Sequence, residues 1–279
     1  MKADILTCPV CAQPLVRAEH SYLCPNRHTF DIARSGYVNL YRSNSSGHHG
    51  DDKKMVLART AFLNRGYYDA LADAVAVRAA ELCPEGGVVL DAGCGEGKYT
   101  VSVWNALQSA GKSADVVGAD ISKAAAEALA KRSKGILSLV ASTADLPLRN
   151  QSADVVLNLF SPFFGEEFLR VLKPDGYLLR VVPLEDHLWE LKKAIYDRPY
   201  KNEVPSYEEA GFRILEKREL RSRIHIEGND DIQALFCMTP YYYKTGREDQ
   251  EKCSRLTELD VTIAFLIILY KKEEEAHEV

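Results

Sequence analysis

Apolar positions along the chain change period, and each period predicts a different kind of element. Between Asp51 and Ala80 they recur at helical spacing: Met55, Leu57, Ala58, Ala61 and Phe62, then Leu71, Ala74 and Val75. A stripe of this kind lets a helix bury one face. Two helices are predicted, broken near Asn64-Arg65-Gly66, with Asp51 or Asp52 as the capping start signal. From Val88 onward short apolar runs alternate with helical patterns. Val88–Asp91 reads as a strand, a helix follows Gly97, Asp115–Asp120 is a second strand, and Ser122 caps an Ala-rich helix ending at Arg132. Ile136–Ala141, Ala153–Leu159 and Tyr177–Val182 supply three more strands, with a helix over Glu166–Leu172 before the last. Strand and helix alternating this regularly imply an α/β fold with a mostly parallel sheet and right-handed crossovers. The C-terminal part departs from the alternation. Phe212–Arg223 and Leu259–Tyr270 are longer strand-like runs around helical material, which predicts an antiparallel pair closing one sheet edge.

One stretch, Ser43 to Gly50, is small and polar throughout and reads as a linker. It divides the chain into a head at 1–42, a linker with N-terminal helices at 43–80, and a main domain at 81–279. The closing Lys271-Lys272-Glu273-Glu274-Glu275 run reads as a frayed tail.

Composition adds little, with 46% hydrophobic and 27% charged residues, as in ordinary globular proteins. The longest apolar run, Ile263 to Tyr270, is far short of the roughly 20 residues a membrane helix needs. The opening Met1–Leu6 lacks the apolar core of a signal peptide, so no membrane and a cytoplasmic location are expected. Charge is more informative. The net −5 excludes a uniformly basic nucleic-acid binder, yet residues 1–65 carry nine Lys/Arg against five Asp/Glu, and the remainder 26 against 35. A basic head on an acidic body would meet a polyanion head first.

Of seven cysteines, Cys8, Cys11 and Cys24 crowd the head. An odd count in a reducing compartment is no disulfide framework, and metal binding is the better use of the cluster. Cys8-Pro9-Val10-Cys11 and Cys24-Pro25-Asn26-Arg27-His28 give the spacing C-x2-C-x12-C-x3-H. Zinc takes four tetrahedral thiolate and imidazole ligands in structural sites, leaving no open position. Pro fixes φ in each of the two chelating turns. His20 lies nearby as a rival ligand, but the matching second turn favours His28. Arg17, Arg27, Arg34 and Arg42 could then form a phosphate-contacting surface, or simply be solvated.

Asp91-Ala92-Gly93-Cys94-Gly95-Glu96-Gly97 places a glycine-rich turn between a buried strand and a helix. Glycines there let backbone approach a ligand, and a helix N-terminus favours an anionic group. The pattern D-x-G-x-G-x-G differs from the dinucleotide fingerprint. It resembles motif I of class I methyltransferases, in which Asp120, ending the next strand, would hold the ribose hydroxyls. Ser142-Thr143-Ala144-Asp145-Leu146-Pro147 resembles the segment that meets adenine, with Asp145 against its exocyclic amine. Cys94 reads as a small neutral filler. After the fourth strand, Asn158-Leu159-Phe160-Ser161-Pro162-Phe163-Phe164 occupies the acceptor position, where aromatics either stack a base or pack the core.

Zinc turns directly ahead of such a domain resemble one family, the RlmA-type guanine-N1 methyltransferases of bacterial 23S rRNA. The likeness spans nearly the whole chain. It includes the zinc turns, Phe30-Asp31 with Gly36-Tyr37-Val38-Asn39-Leu40, and Ala58-Arg59-x-Ala61-Phe62-Leu63-x2-Gly66-x-Tyr68. Further on come the glycine loop, Val171-x-Lys173-Pro174-x-Gly176, His187-Leu188-x-Glu190-Leu191-Lys192 and Met238-Thr239-Pro240. The resemblance implies a Rossmann-like, mostly parallel seven-stranded sheet with a small N-terminal zinc-ribbon-like domain. It implies S-adenosylmethionine as cofactor, one structural zinc, a 23S rRNA hairpin loop as partner and a homodimer. Tyr68, Gly95, Glu96, Gly97, Lys98, Tyr99 and His187 would line the cofactor site, together with Asp91, Gly93, Asp120 and Asp145 from the generic motifs. No general base is identified; Asp154, Asp186 and His187 are candidates by position. Two rival readings are a small-molecule methyltransferase with a purely structural zinc head, and a non-catalytic RNA-binding protein.

Overall fold

The computed structural model describes residues 4–42 and 50–273. Most of the expected linker (43–49) and the end of the charged tail (274–275) lie outside the described residues. The head contributes short strands β1 (Val16–Arg17), β2 (Ser21–Leu23), β3 (Thr29–Asp31) and β4 (Val38–Asn39). Helices α1 (Lys53–Asn64) and α2 (Asp69–Leu82) follow, broken where the pattern predicts. Asp52 caps α1 by accepting the Met55 N–H at 2.9 Å.

The alternating core then runs β5 (Val88–Ala92), α3 (Lys98–Ser109), β6 (Asp115–Asp120), α4 (Lys123–Arg132) and β7 (Leu137–Val140). It continues with β8 (Ala153–Leu159), α5 (Gly165–Val171), β9 (Leu172–Pro183) and α6 (Trp189–Ile195). Ser122 caps α4 through the Ala125 N–H. The C-terminal part is β10 (Phe212–Glu227), α7 (Asn229–Cys237), α8 (Arg247–Ser254) and β11 (Glu258–Lys272).

The main sheet has the order β10-β11-β9-β8-β5-β6-β7-β4. β5 through β9 pair in parallel, while β11 pairs antiparallel with both β9 and β10. The seven expected strands are present, and the head adds an eighth. Val38 and Asn39 pair in parallel with Leu139 and Val140. Two residues are too few to show a period, so the sequence pattern gave no sign of it.

Residues of a strand alternate between faces, and the core divides accordingly. Val89 packs into one layer with α2, α3 and α7, whereas Val88, Leu90 and Ala92 join the other. That second layer also holds Ile5, Leu6, Leu15, Tyr22, Val38 and Leu40 of the head with Phe168 and Val171 of α5. A head of this size buries too little by itself, so it shares the core of the sheet. The expected frayed tail is partly corrected. Lys271 and Lys272 pair with Arg213 and Phe212, and Lys272 Nζ donates to Leu169 O at 2.7 Å, so backbone pairing carries these charges to the sheet's end.

Candidate functional site

Two sites emerge, one in the head and one in the main domain. In the head, Cys8 Sγ, Cys11 Sγ, Cys24 Sγ and a His28 ring nitrogen all lie within 4.8 Å of one another. His28 Nδ1 is 3.3 Å from Cys24 Sγ and 3.5 Å from Cys8 Sγ, and Cys11 and Cys24 sulfurs are 3.7 Å apart. A tetrahedron with Zn–S near 2.3 Å and Zn–N near 2.0 Å has edges of about 3.5–3.8 Å, so the donor set fits zinc. Backbone turns aim the sulfurs: Val10 N–H donates to Cys8 Sγ, and the Gln13 N–H is the main influence drawing the Cys11 thiol down to about 6. His20 is exposed beside Glu19 and takes no part in the cluster.

The larger site is a cavity of about 680 Å³ at the C-terminal ends of β5, β6, β8 and β9, where open α/β sheets bind their ligands. Its floor is the glycine loop. Gly93 has φ +86, and a Cβ there would sit 2.3 Å from the Ser161 Cβ. That close approach is fastened by Ser161 Oγ donating to Ala92 O at 2.7 Å, with Asn158 Nδ2 donating to Ser161 Oγ at 2.7 Å. Gly97, at φ +90, starts α3 and leaves no room for a side chain against Leu129.

Asp91 is 1% exposed. Its Oδ2 accepts from Thr100 Oγ1 at 2.6 Å, while its Oδ1 is buried without a partner. Burial pushes the carboxyl up to about 7; Thr100 opposes the shift and the Asp120 charge adds to it. Asp120 accepts Gly95 N–H at 2.9 Å and Ser122 N–H at 2.8 Å, and burial raises its pKa against those bonds. The Tyr68 hydroxyl is a second buried polar atom with no partner. Unpartnered buried groups are destabilising unless a ligand meets them. Asp91 Oδ1 suits an ammonium, and the Asp120 carboxylate a diol.

One side of the cavity is a continuous run of rings. Tyr99 and Phe160 centroids are 6.1 Å apart, Phe160 and Phe265 5.1 Å, Phe265 and Tyr68 5.1 Å, and Phe265 and His187 4.5 Å. Ring faces of this kind attract a cation. Phe160 and Phe164 stand at the mouth, 44% and 37% exposed. Phe163 turns away instead, packing on Phe168 and Phe212 under the Arg180 guanidinium. Of the two sequence alternatives, core packing describes Phe163, while the rings of Phe160 and Phe164 are exposed at the mouth.

The expected cofactor residues do not all meet in this cavity. Tyr68, Asp91, Gly93, Gly95, Glu96, Tyr99, Asp120 and His187 line it. Glu96 is buried in an ion pair with Arg132, whose Nε also donates to Glu96 O at 2.9 Å. Gly97 lies behind the loop as the start of α3, and Lys98 turns out to pair with Asp69 at 2.6 Å. Asp145 is exposed and faces a different hollow, while Ser142 and Thr143 of its segment line the cavity.

The positional candidates for a general base need correction. Asp154 sits at the start of β8, the end opposite the cavity, held by Lys173 at 2.8 Å and by the Val88 N–H. Asp186 lies outside the cavity lining; burial works to raise its pKa, but the two-pronged Arg221 contact prevails and holds it low. His187 does line the cavity, but burial, then the Lys192 charge, drives it down to about 3. Its Nδ1 faces the Ala264 N–H at 3.3 Å, which places the remaining proton on Nε2. Burial thus holds His187 neutral, with an Nε2–H to donate.

Sequence reasoning missed Arg59, Phe265 and the Met238–Tyr241 turn as lining residues. Arg59 pairs with Asp51 and donates to Met238 O at 3.1 Å. Arg59 and Met238-Thr239-Pro240 were among the residues carrying the family likeness, which was the available signal; Phe265 is hidden inside an apolar run.

Comparison with known proteins gives a matching picture. Residues 6–43 match a family model described as the RlmA N-terminal zinc ribbon, and residues 90–180 one described as a methyltransferase domain. A Bacillus subtilis protein, assigned by name as a 23S rRNA (guanine-N(1)-)-methyltransferase, is 31% identical over 96% of this chain and 98% of its own. The 23S rRNA (guanine(748)-N(1))-methyltransferase of Streptomyces fradiae is 38% identical over 68% of this chain and 67% of its own. A Micromonospora griseorubida protein with a similar assignment is 40% identical over 67% of this chain and 68% of its own.

Proposed function

We propose, from the premise that the chain belongs to the RlmA-type 23S rRNA (guanine-N1)-methyltransferase family, that it methylates N1 of a guanine in a hairpin loop of 23S rRNA. The observation that carries the reading is the pair of unpartnered buried atoms, Asp91 Oδ1 and Tyr68 Oη, beside a glycine loop and a wall of rings. S-adenosylmethionine, when bound there, supplies an electrophilic methyl on a sulfonium. Asp91 would take its ammonium, Asp120 its ribose hydroxyls, the Ser142–Thr143 segment its adenine, and the rings its positive sulfur. Arg59, the neutral His187 donor and the Tyr68 hydroxyl are left for its carboxylate.

The guanine would enter past Phe160 and Phe164, which stack an unpaired base. Its N1 would form the new bond to the methyl carbon as the carbon–sulfur bond broke, with the N1 proton passing to water. With His187 neutral and Asp154 and Asp186 elsewhere, no side chain is assigned as base, and catalysis rests on alignment. Zinc organises the head for RNA and takes no part in transfer. A homodimer belongs to the same proposal and rests on the family likeness. Labelled methyl transfer to rRNA from a strain lacking the activity, with the product mapped, tests the reading. Label at guanine N1 is expected; transfer only to a metabolite would replace it with the small-molecule rival.

A further inference from the structure

We infer that a second hollow, at the seam between head and sheet, holds a nucleotide flanking the target on the same RNA strand. This rests on the rRNA reading and concerns how that substrate is gripped. The hollow measures about 710 Å³ and shares Ser142 with the cofactor cavity. One wall is the first zinc turn, the other the loop from Asp145 to Asn150.

Backbone bonds fix the two walls to each other. Thr7 N–H donates to Pro147 O at 2.9 Å, Arg149 N–H donates to Ile5 O at 2.8 Å, and Leu6 bridges Leu148. Helix α5 ties the hollow to the acceptor mouth. Its cap, Phe164, lines the mouth, and Arg170 lines the hollow six residues on, about 9 Å along the axis. The seam is thus preformed and adjacent to the place where the target base would stand.

Its chemistry is that of a nucleotide site. Arg170 is committed to the protein, donating to Leu146 O, Leu148 O and Glu167. Arg42 directs one donor to Pro9 O at 3.2 Å, its one side-chain contact among the described residues, out of the five donors a guanidinium carries. Arg149 is exposed, and its guanidinium has no partner among the described residues. These two cations suit two backbone phosphates, one on each side of the nucleotide, and the exposed Asp145 carboxylate suits a base amino group. Asp145 thereby acquires a role at this hollow that its absence from the cofactor cavity leaves open.

The test uses the zinc-loaded full chain, a fluorescent 23S hairpin RNA followed by anisotropy, and S-adenosylhomocysteine followed by calorimetry. The combined Arg42→Ala and Arg149→Ala variant should bind RNA about tenfold more weakly, with a salt dependence shallower by about 1.4 for two lost phosphate contacts. Asp145→Ala should also weaken RNA binding. Wild-type affinity for S-adenosylhomocysteine in all variants would show that the main domain stands, and an undiminished zinc content that the head does. Arginine variants with unchanged RNA affinity and salt slope overturn the inference, as does loss of S-adenosylhomocysteine binding in Asp145→Ala. Failure of the wild-type protein to bind the hairpin would instead count against the rRNA reading itself.

Discussion

The zinc cluster draws its four ligands from residues 8–28, and they meet within 4.8 Å. The cavity draws Tyr68, Asp91, Asp120, His187 and Phe265 from five separate places along the chain, the first four near strand ends or helix starts and Phe265 from the middle of β11. Local construction of this kind depends on spacing and a metal, whereas the distributed construction depends on the whole sheet being in register. Loss of the ion should therefore ruin one site and spare the other, and loss of a single buried carboxylate should do the reverse.

Removing zinc, by chelation or by Cys8→Ser, is the most drastic way to break that contrast. Structural zinc binding is worth on the order of 10 kcal/mol in small zinc-finger peptides. Amide protection across β1–β3 should be lost and RNA binding with it, while calorimetry still detects S-adenosylhomocysteine. If chelated protein kept its protection in β1–β3, the shared core with the sheet, not the ion, would be holding the head.

Asp91→Asn makes the opposite cut. Burial lifts the Asp91 carboxyl to about 7 in the fold against an ordinary 3.8. The ligand-free fold therefore keeps a proton that the unfolded chain sheds above about pH 4. The stability this contributes is complete below that pH and is lost as pH rises through 7. Asp91→Asn should flatten the decline and raise Tm at pH 7.5, yet weaken S-adenosylhomocysteine binding at least tenfold, about 1.4 kcal/mol. Below pH 7 the wild-type protein should also release protons on binding, visible as a buffer-dependent heat. A ligand affinity equal to wild type in Asp91→Asn would detach Asp91 from the site.

The same contrast explains what could be read before the structure. The C-x2-C-x12-C-x3-H spacing specified its own geometry, and the structure brings those four side chains together. Strand ends at Asp91 and Asp120 were legible because buried parallel strands are continuous apolar runs that stop abruptly. Phe265 was not, because it is one apolar residue among many in β11, and only antiparallel pairing with β9 opposite Pro183 brings it to the cavity. Asp154 shows the converse. It was a candidate base by position alone, yet as the second residue of β8 it lies at the end of the sheet opposite the cavity. The predicted strand has the same bounds as β8, so that end was legible; what excludes Asp154 is that ligands gather at the carboxyl ends of parallel strands.

Phe160→Leu is the gentlest probe and the most specific to the cavity. Phe160 lies between Tyr99 and Phe265 in the ring wall and is 44% exposed, so leucine can replace it without opening a buried void. S-adenosylmethionine and S-adenosylhomocysteine share their adenosine and amino-acid parts and differ at sulfur, cationic in one and neutral in the other. Any general loosening of the cavity weakens both equally and cancels in the ratio of their affinities. A partly exposed cation–π contact is worth about 0.5–1 kcal/mol, so the preference for the charged ligand should fall about two- to fivefold. Equal weakening of both ligands would mean that the rings pack against the cofactor as apolar surface. The cavity would then recognise its ligand only at the adenosine and amino-acid ends, and the sulfonium would be positioned without being felt.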